Sequence, residues 1–212
     1  MKNILAISTL FATATLASAV PLNVQSLKSG KFSTARVNAN GRSLYVYAGA
    51  FDATLGSQGL EVYCIDLAHE VSPPSSYDVN VVSTTTLASN YKLAAKLFNQ
   101  FASTIDSNEK GAGLQVAIWD AITDGGDGVN SGNFYDEGTD SAILGYASSF
   151  LSYDLSSTSD EAYAYLATSH PGNRNQNMIG TLPDPTAPVP EPASLTALAL
   201  GVGAILRRRA SK

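Results

Sequence analysis

The hydrophobic period of the chain changes between Val82 and Ser89, and that change restricts the possible folds more than any other feature. From Asn23 to Val82 the apolar residues follow strand periods. "SLYVYAGAF" (Ser43 to Phe51) comes after an Asn40-Gly41 turn signal, and "YDVNVV" (Tyr77 to Val82) comes after Pro73-Pro74. Between them "GLEVYCIDL" (Gly59 to Leu67) alternates in two registers, with Leu60, Val62 and Cys64 on one face and Tyr63, Ile65 and Leu67 on the other. Apolar residues on both faces mark a central strand, which places Cys64 at least partly inside.

From Ser89 onward the spacing is helical. Tyr91, Ala94, Leu97, Phe98 and Phe101 form one stripe, with Ser89 or Asn90 as the expected cap. Leu114, Ala117, Ile118 and Ala121 predict a second helix over about Ala112 to Ile122, and Ile143, Tyr146, Ala147, Phe150 and Leu151 a third over about Asp140 to Leu151. "AYAYLATS" (Ala162 to Ser169) and "NMIGTL" (Asn177 to Leu182) then return to the sheet. Strands, three helices and strands again imply an α+β chain, with an antiparallel β-sheet or sandwich core and an inserted helical lobe.

Both ends carry address-like segments. Lys2, the apolar run Ile4 to Leu16 and the small residues Ala17-Ser18-Ala19 make residues 1–19 a secretory signal peptide, too short for a membrane span, with the mature chain expected near Val20. At the other end an extended Pro-rich linker (183–190) leads to an apolar segment, Leu195 to Leu206, and then Arg207, Arg208 and Arg209. That segment is little more than half the roughly 20 residues of a bilayer-crossing helix, and its basic end suits the cytoplasmic side of an inner membrane. Residues 20–182 suit one compact domain. Of 13 Lys+Arg and 18 Asp+Glu, five and one lie outside residues 20–190, which leaves 8 against 17 and a net charge near −9. Such a surface argues against nucleic acid or an anionic membrane as a partner.

Val189-Pro190-Glu191-Pro192, the apolar segment and the arginine cluster resemble, in that order, the PEP-CTERM sorting signal (189–212). The resemblance implies export in a Gram-negative, exopolysaccharide-producing bacterium. Signal peptidase and the membrane protease-transpeptidase exosortase would be the processing partners. The destination would be the cell envelope, the cell surface or the extracellular matrix, with transient anchoring in the inner membrane through the C-terminal segment.

In a secreted chain, one cysteine is an oddity: Cys64 cannot form an internal disulfide. On the second helix Gln115, Ile118, Trp119 and Ile122 share a face, which sets a glutamine in the first turn of an otherwise apolar element. Alone, that glutamine reads as a side chain satisfied by local hydrogen bonds. "YCIDL" (Tyr63 to Leu67) followed some fifty residues later by "LQVAIW" (Leu114 to Trp119) resembles the signature of bacterial thioester domains, best known on Gram-positive surface adhesins. The resemblance implies a bond between the Cys64 sulfur and the Gln115 side-chain carbonyl, open to attack by an amine on a partner surface. Fixed geometry can supply effective molarities of about 10⁵–10⁸ M for such a reaction. A buried thiol resists ionisation, so a polarising neighbour is required. Asp66, two residues along the strand, and His69 are the candidates for a proton relay. Tyr63 and Trp119 are the candidates for lining a dry pocket, a role compatible with ordinary core packing. The result would be single-turnover capture rather than enzymatic turnover, with no cofactor.

Competing constellations are thinner. A non-covalent structural role in an exopolysaccharide or biofilm matrix needs no thioester at all. "DGGDGVN" offers Asp124, Asp127 and Asn130 as oxygen ligands, but it lacks EF-hand spacing and reads as a turn. His69-Glu70 has no second histidine four residues on, so no zinc-protease motif is present. Pairing Cys64 with His170 as a secreted cysteine hydrolase leaves the third, orienting residue unidentified.

Overall fold

The structure, a computed structural model, describes residues 19–181. The expected signal peptide up to residue 18, the expected linker and the expected sorting motif lie outside the described residues. The chain runs β1 (Val20–Ala39), β2 (Arg42–Leu55), β3 (Gln58–Cys64), β4 (Ser75–Ser83), α1 (Ser89–Phe101), α2 (Asn108–Asp124), β5 (Phe134–Asp136), α3 (Ser141–Leu151), β6 (Tyr163–Ala167) and β7 (Met178–Gly180). The α+β expectation holds. Of the two arrangements expected for the strands, sheet or sandwich, they form one sheet of seven, ordered β2-β3-β7-β6-β4-β1-β5, with every pairing antiparallel. A further pairing of β1 with β2 closes that sheet on itself. At the closure Leu22 of β1 faces both Leu55 of β2 and Tyr77 of β4.

The long β1–β2 hairpin turns at Asn40-Gly41, both with positive φ, as the sequence signal requires. Its register slips between Leu27 and Phe32. Opposite that slip, at Gly49, an added Cβ would stand 2.2 Å from the Lys31 carbonyl oxygen, and φ is +144°. Only glycine meets both conditions, and it stands two residues before Phe51, where the pairing of β2 with β3 ends.

The helices pack on the sheet as one core, with α2 at its centre. Every residue from Gly111 to Ala121 is buried, so α2 is sheathed on all sides. It starts at Asn108, earlier than the apolar stripe implies. Ser107 caps it, accepting from the Lys110 amide at 3.3 Å. Gly111 and Gly113, poor helix formers, are there for contact. A Cβ on Gly111 would lie 2.2 Å from the Lys31 carbonyl oxygen of β1, and one on Gly113 would lie 2.6 Å from Tyr146 Cβ of α3. With this start Gln115 falls in the middle of the helix, not in its first turn. Neither Ser89 nor Asn90 caps α1. Its cap position is Ala88, which offers no side-chain acceptor, and the Asn90 amide instead donates to the Ile122 carbonyl of α2 at 2.8 Å. Asp140 does cap α3, accepting from the Ala142 amide at 2.8 Å. Among the described residues no helix is long and apolar enough to cross a membrane.

Candidate functional site

The site begins with an interruption in the sheet. The pairing of β2 with β3 ends at Phe51–Val62, while on its other side β3 pairs with β7 as far as Cys64–Met178. Backbone groups of alternate strand residues point to alternate neighbours. Ile65 N–H donates to Asn177 on the β7 side at 3.0 Å, so the N–H and C=O of Cys64 face the side that β2 has left. Cys64 is 1% exposed, and two unpaired backbone groups there would be costly.

Gln115 fills that gap. Its Oε1 accepts from the Cys64 amide at 2.9 Å, and its Nε2 donates to the Cys64 carbonyl at 2.7 Å. Donor and acceptor chemistry fixes which end of the side-chain amide points where. The glutamine is fully buried, held by a helix that is itself immobilised by the Gly111 and Gly113 contacts. Strand and helix therefore meet through one residue from each.

The thiol belongs to a different network. Cys64 Sγ donates to the Asp66 carbonyl at 2.9 Å and accepts from the Asp66 amide at 3.2 Å. Burial pushes the Cys64 pKa from 9.0 to about 12, the Asp66 charge adding to the rise, while the Asp66 backbone and the Trp119 N–H work against it. Trp119, 3% exposed and one turn after Gln115, thus turns its indole nitrogen toward the sulfur, though it closes no hydrogen bond of ordinary geometry. Strand register sets Cys64 on one sheet face with Met178 and Tyr165. Tyr63 lies on the opposite face, its ring edge-on to Phe98 of α1 at 6.0 Å between centroids. Trp119 lies against the sulfur. Tyr63 packs in the core behind the strand.

Beyond β3 the Asp66 carboxylate organises the turn. Its Oδ1 accepts from the Ala68 and His69 amides at 2.9 and 3.3 Å. Its Oδ2 stands 2.6 Å from His69 Nδ1 and accepts from Asn177 Nδ2 at 3.2 Å. The His69 ring stacks on His170, with centroids 3.7 Å apart and planes 14° apart. His170 Nδ1 is in turn 2.8 Å from the Asn175 carbonyl. The backbone of Asp66 reaches the sulfur, while its carboxylate reaches His69; the residue links the two. Asp66, His69 and His170 each offer a ligand atom within 4.8 Å of the others, a set that could hold a metal ion.

Cys64, Gln115, Trp119, Asp66 and His69 are brought together: Gln115 on the Cys64 backbone, Asp66 and Trp119 at the sulfur, and His69 on the Asp66 carboxylate. Gln176 and Asn177 went unmarked in the sequence. Gln176 Nε2 donates to the carbonyls of Asp66 and His69 at 2.9 and 2.5 Å, tying β7 to the turn after β3. Two amide side chains over a hundred residues away carry no sequence signal for that role; the His170 stack is equally silent. Asp124 and Asp127 lie at the C-terminal end of α2 and in the loop after it, and Asn130 is exposed. The chain matches no protein-family model, no curated protein and no solved structure.

Proposed function

We propose that this is an exported surface or matrix protein whose domain forms a Cys64–Gln115 thioester for one covalent attachment to an amine on a partner. The observation that carries the reading is the two-point contact between the Gln115 amide and the Cys64 backbone inside a dry core. Ordinary secondary structure would satisfy those groups with another strand. Here they are satisfied by the one side chain that a neighbouring thiol can acylate itself on.

The chemistry follows from the positions. The sulfur leaves the Asp66 backbone and attacks Gln115 Cδ, forming the C–S bond. Negative charge collects on Oε1, which the Cys64 N–H already addresses, as an oxyanion donor should. The C–N bond then breaks, and the thiol proton leaves with the nitrogen as ammonia. His69, coupled to Asp66, is the relay for that proton. A His69→Gln variant should lose the same one ammonia more slowly; an unchanged rate would remove His69 from the mechanism. In the second reaction an incoming amine attacks the same carbonyl, an amide forms, and Cys64 is released as a thiol. Gln115 is fully buried, which shields the thioester from water and means that a partner amine gains entry only on local opening.

The terminal sorting segments supply the address for such a role, outside the cytoplasm and in reach of polysaccharide and foreign amines. A biotinylated primary amine should label the protein covalently, with one label at Gln115 and one thiol freed. Equal labelling of Cys64→Ala protein would defeat the proposal.

A further inference from the structure

At the C-terminal end of α2 and in the loop after it, three carboxylates converge. Asp120, Asp124 and Asp127 each place an oxygen within 4.8 Å of the other two. Asp120 is 0% exposed, and its Oδ1 is buried without a hydrogen-bond partner; Oδ2 accepts from the Gly128 amide at 3.1 Å. Asp124 repeats the pattern. Its Oδ2 accepts from the amides of Asn133 and Phe134 at 2.7 and 2.9 Å, while Oδ1 is buried and unpartnered. Each residue commits one oxygen to the loop and leaves the other free.

No cation offsets this charge among the described residues. The ion pairs present use Asp52, Glu61, Asp66 and Asp106, and none uses these three aspartates. Burial and the adjacent Asp124 raise the Asp120 pKa well above the usual carboxylate range. Space is kept open around the cluster as well. A Cβ on Gly132, where φ is +88°, would stand 2.3 Å from Asp124 Oδ2 and 2.8 Å from Asp127 Oδ2. Glycine at that position lets the loop close over the carboxylates without filling the space between them.

We infer that Asp120, Asp124 and Asp127 bind a single calcium ion that fastens the loop 125–133 to the end of α2. Oxygens about 2.3–2.6 Å from a common ion can lie up to about 5 Å apart, which three oxygens within 4.8 Å of one another satisfy. Calcium accepts the irregular geometry of two helix carboxylates and one loop carboxylate, whereas magnesium demands a strict octahedron. Two of the ligands are the aspartates of the "DGGDGVN" loop, and the third is Asp120, four residues earlier on the helix. The site also reaches the sheet. The loop leads into β5, which pairs with β1, and Asn133 accepts from the Asn40 amide at the hairpin turn at 2.7 Å.

The test is a calcium titration of the chelator-stripped protein, followed by calorimetry and by thermal unfolding. One ion should bind with Kd of about 0.1–1 mM, the range of extracellular calcium modules. Saturating calcium should raise Tm by about 5–10 °C, and magnesium at equal concentration by much less. Asp120→Asn removes one ligand charge while keeping the shape of the side chain, so it should abolish the calcium response. Asp127→Asn alters only an exposed side chain, so folding is preserved, and affinity should fall at least about tenfold. Cys64→Ala should bind calcium as the parent does, which separates this site from the thioester. Absence of binding at 10 mM calcium, equal binding of magnesium, or a calcium response that survives Asp120→Asn would each overturn the assignment.

Discussion

Replacing Gln115 by leucine in a Cys64→Ala background tests how the strand and helix are joined. In that background no thioester can form, so the substitution removes only the side-chain amide. Leucine has nearly the volume of glutamine and suits the apolar surroundings, so the change leaves little cavity. It does leave the N–H and C=O of residue 64 without partners, on the side where the pairing of β2 with β3 has already ended. Each orphaned buried group costs about 1–3 kcal/mol, and the pair therefore about 2–6 kcal/mol. Against a total stability of roughly 5–15 kcal/mol, that is a large fraction. Urea unfolding of the single and double variants gives the difference directly, and a fall in midpoint at constant m would show lost stability without a change of mechanism. A loss under about 1 kcal/mol would refute the argument, because the backbone of residue 64 would then be satisfied without Gln115.

Two further outcomes follow from the packing and the electrostatics. With Gln115→Leu the thiol persists, and its pKa is raised by burial from 9.0 to about 12. Its contribution to stability is therefore complete below pH 9 and lost as pH rises from 9 to 12, at up to roughly 1.4 kcal/mol per unit. Unfolding of Gln115→Leu should show this extra alkaline loss relative to Cys64→Ala/Gln115→Leu, and coincident profiles would contradict it. Gly113→Ala sets a methyl 2.6 Å from Tyr146 Cβ and 3.0 Å from the Ile143 carbonyl oxygen, so it should cost about 1–3 kcal/mol by thermal unfolding. Gly111→Ala, which meets the Lys31 backbone at 2.2 Å, should cost more; an order reversed between the two would refute the close-approach account of these glycines.

The sequence carried most of the secondary structure because each element writes its own period. The two-sided apolar run around Cys64 did mean a buried strand, and the stripe of α1 ended at Phe101 as expected. The start of α2 was hidden because Asn108 to Gly111 carries no apolar side chain to extend the stripe, although Gly111 is held in the helix by its contact with β1. Closure of the sheet could not be read either, since it depends on one long β1 pairing with both β2 and β4. Within the site, the pairing of Cys64 with Gln115 was legible from two motifs. The use of Asp66 was legible only in part: proximity pointed to its carboxylate, whereas the sulfur meets its backbone. Asp120 escaped notice beside Asp124 and Asp127 because a buried acid on an apolar helix looks like any other residue of its turn.

A Cys64–Gln115 bond changes the mass of the protein, and intact-mass spectrometry of the purified protein reads that change. The mass should lie one ammonia below that of the sequence and return to full value in Cys64→Ala after allowance for the substitution. Methylamine should convert the light form to a stable adduct at Gln115 and release a thiol at Cys64. A protein of full mass, whose Cys64 is alkylated quantitatively once unfolded, would show that no thioester forms.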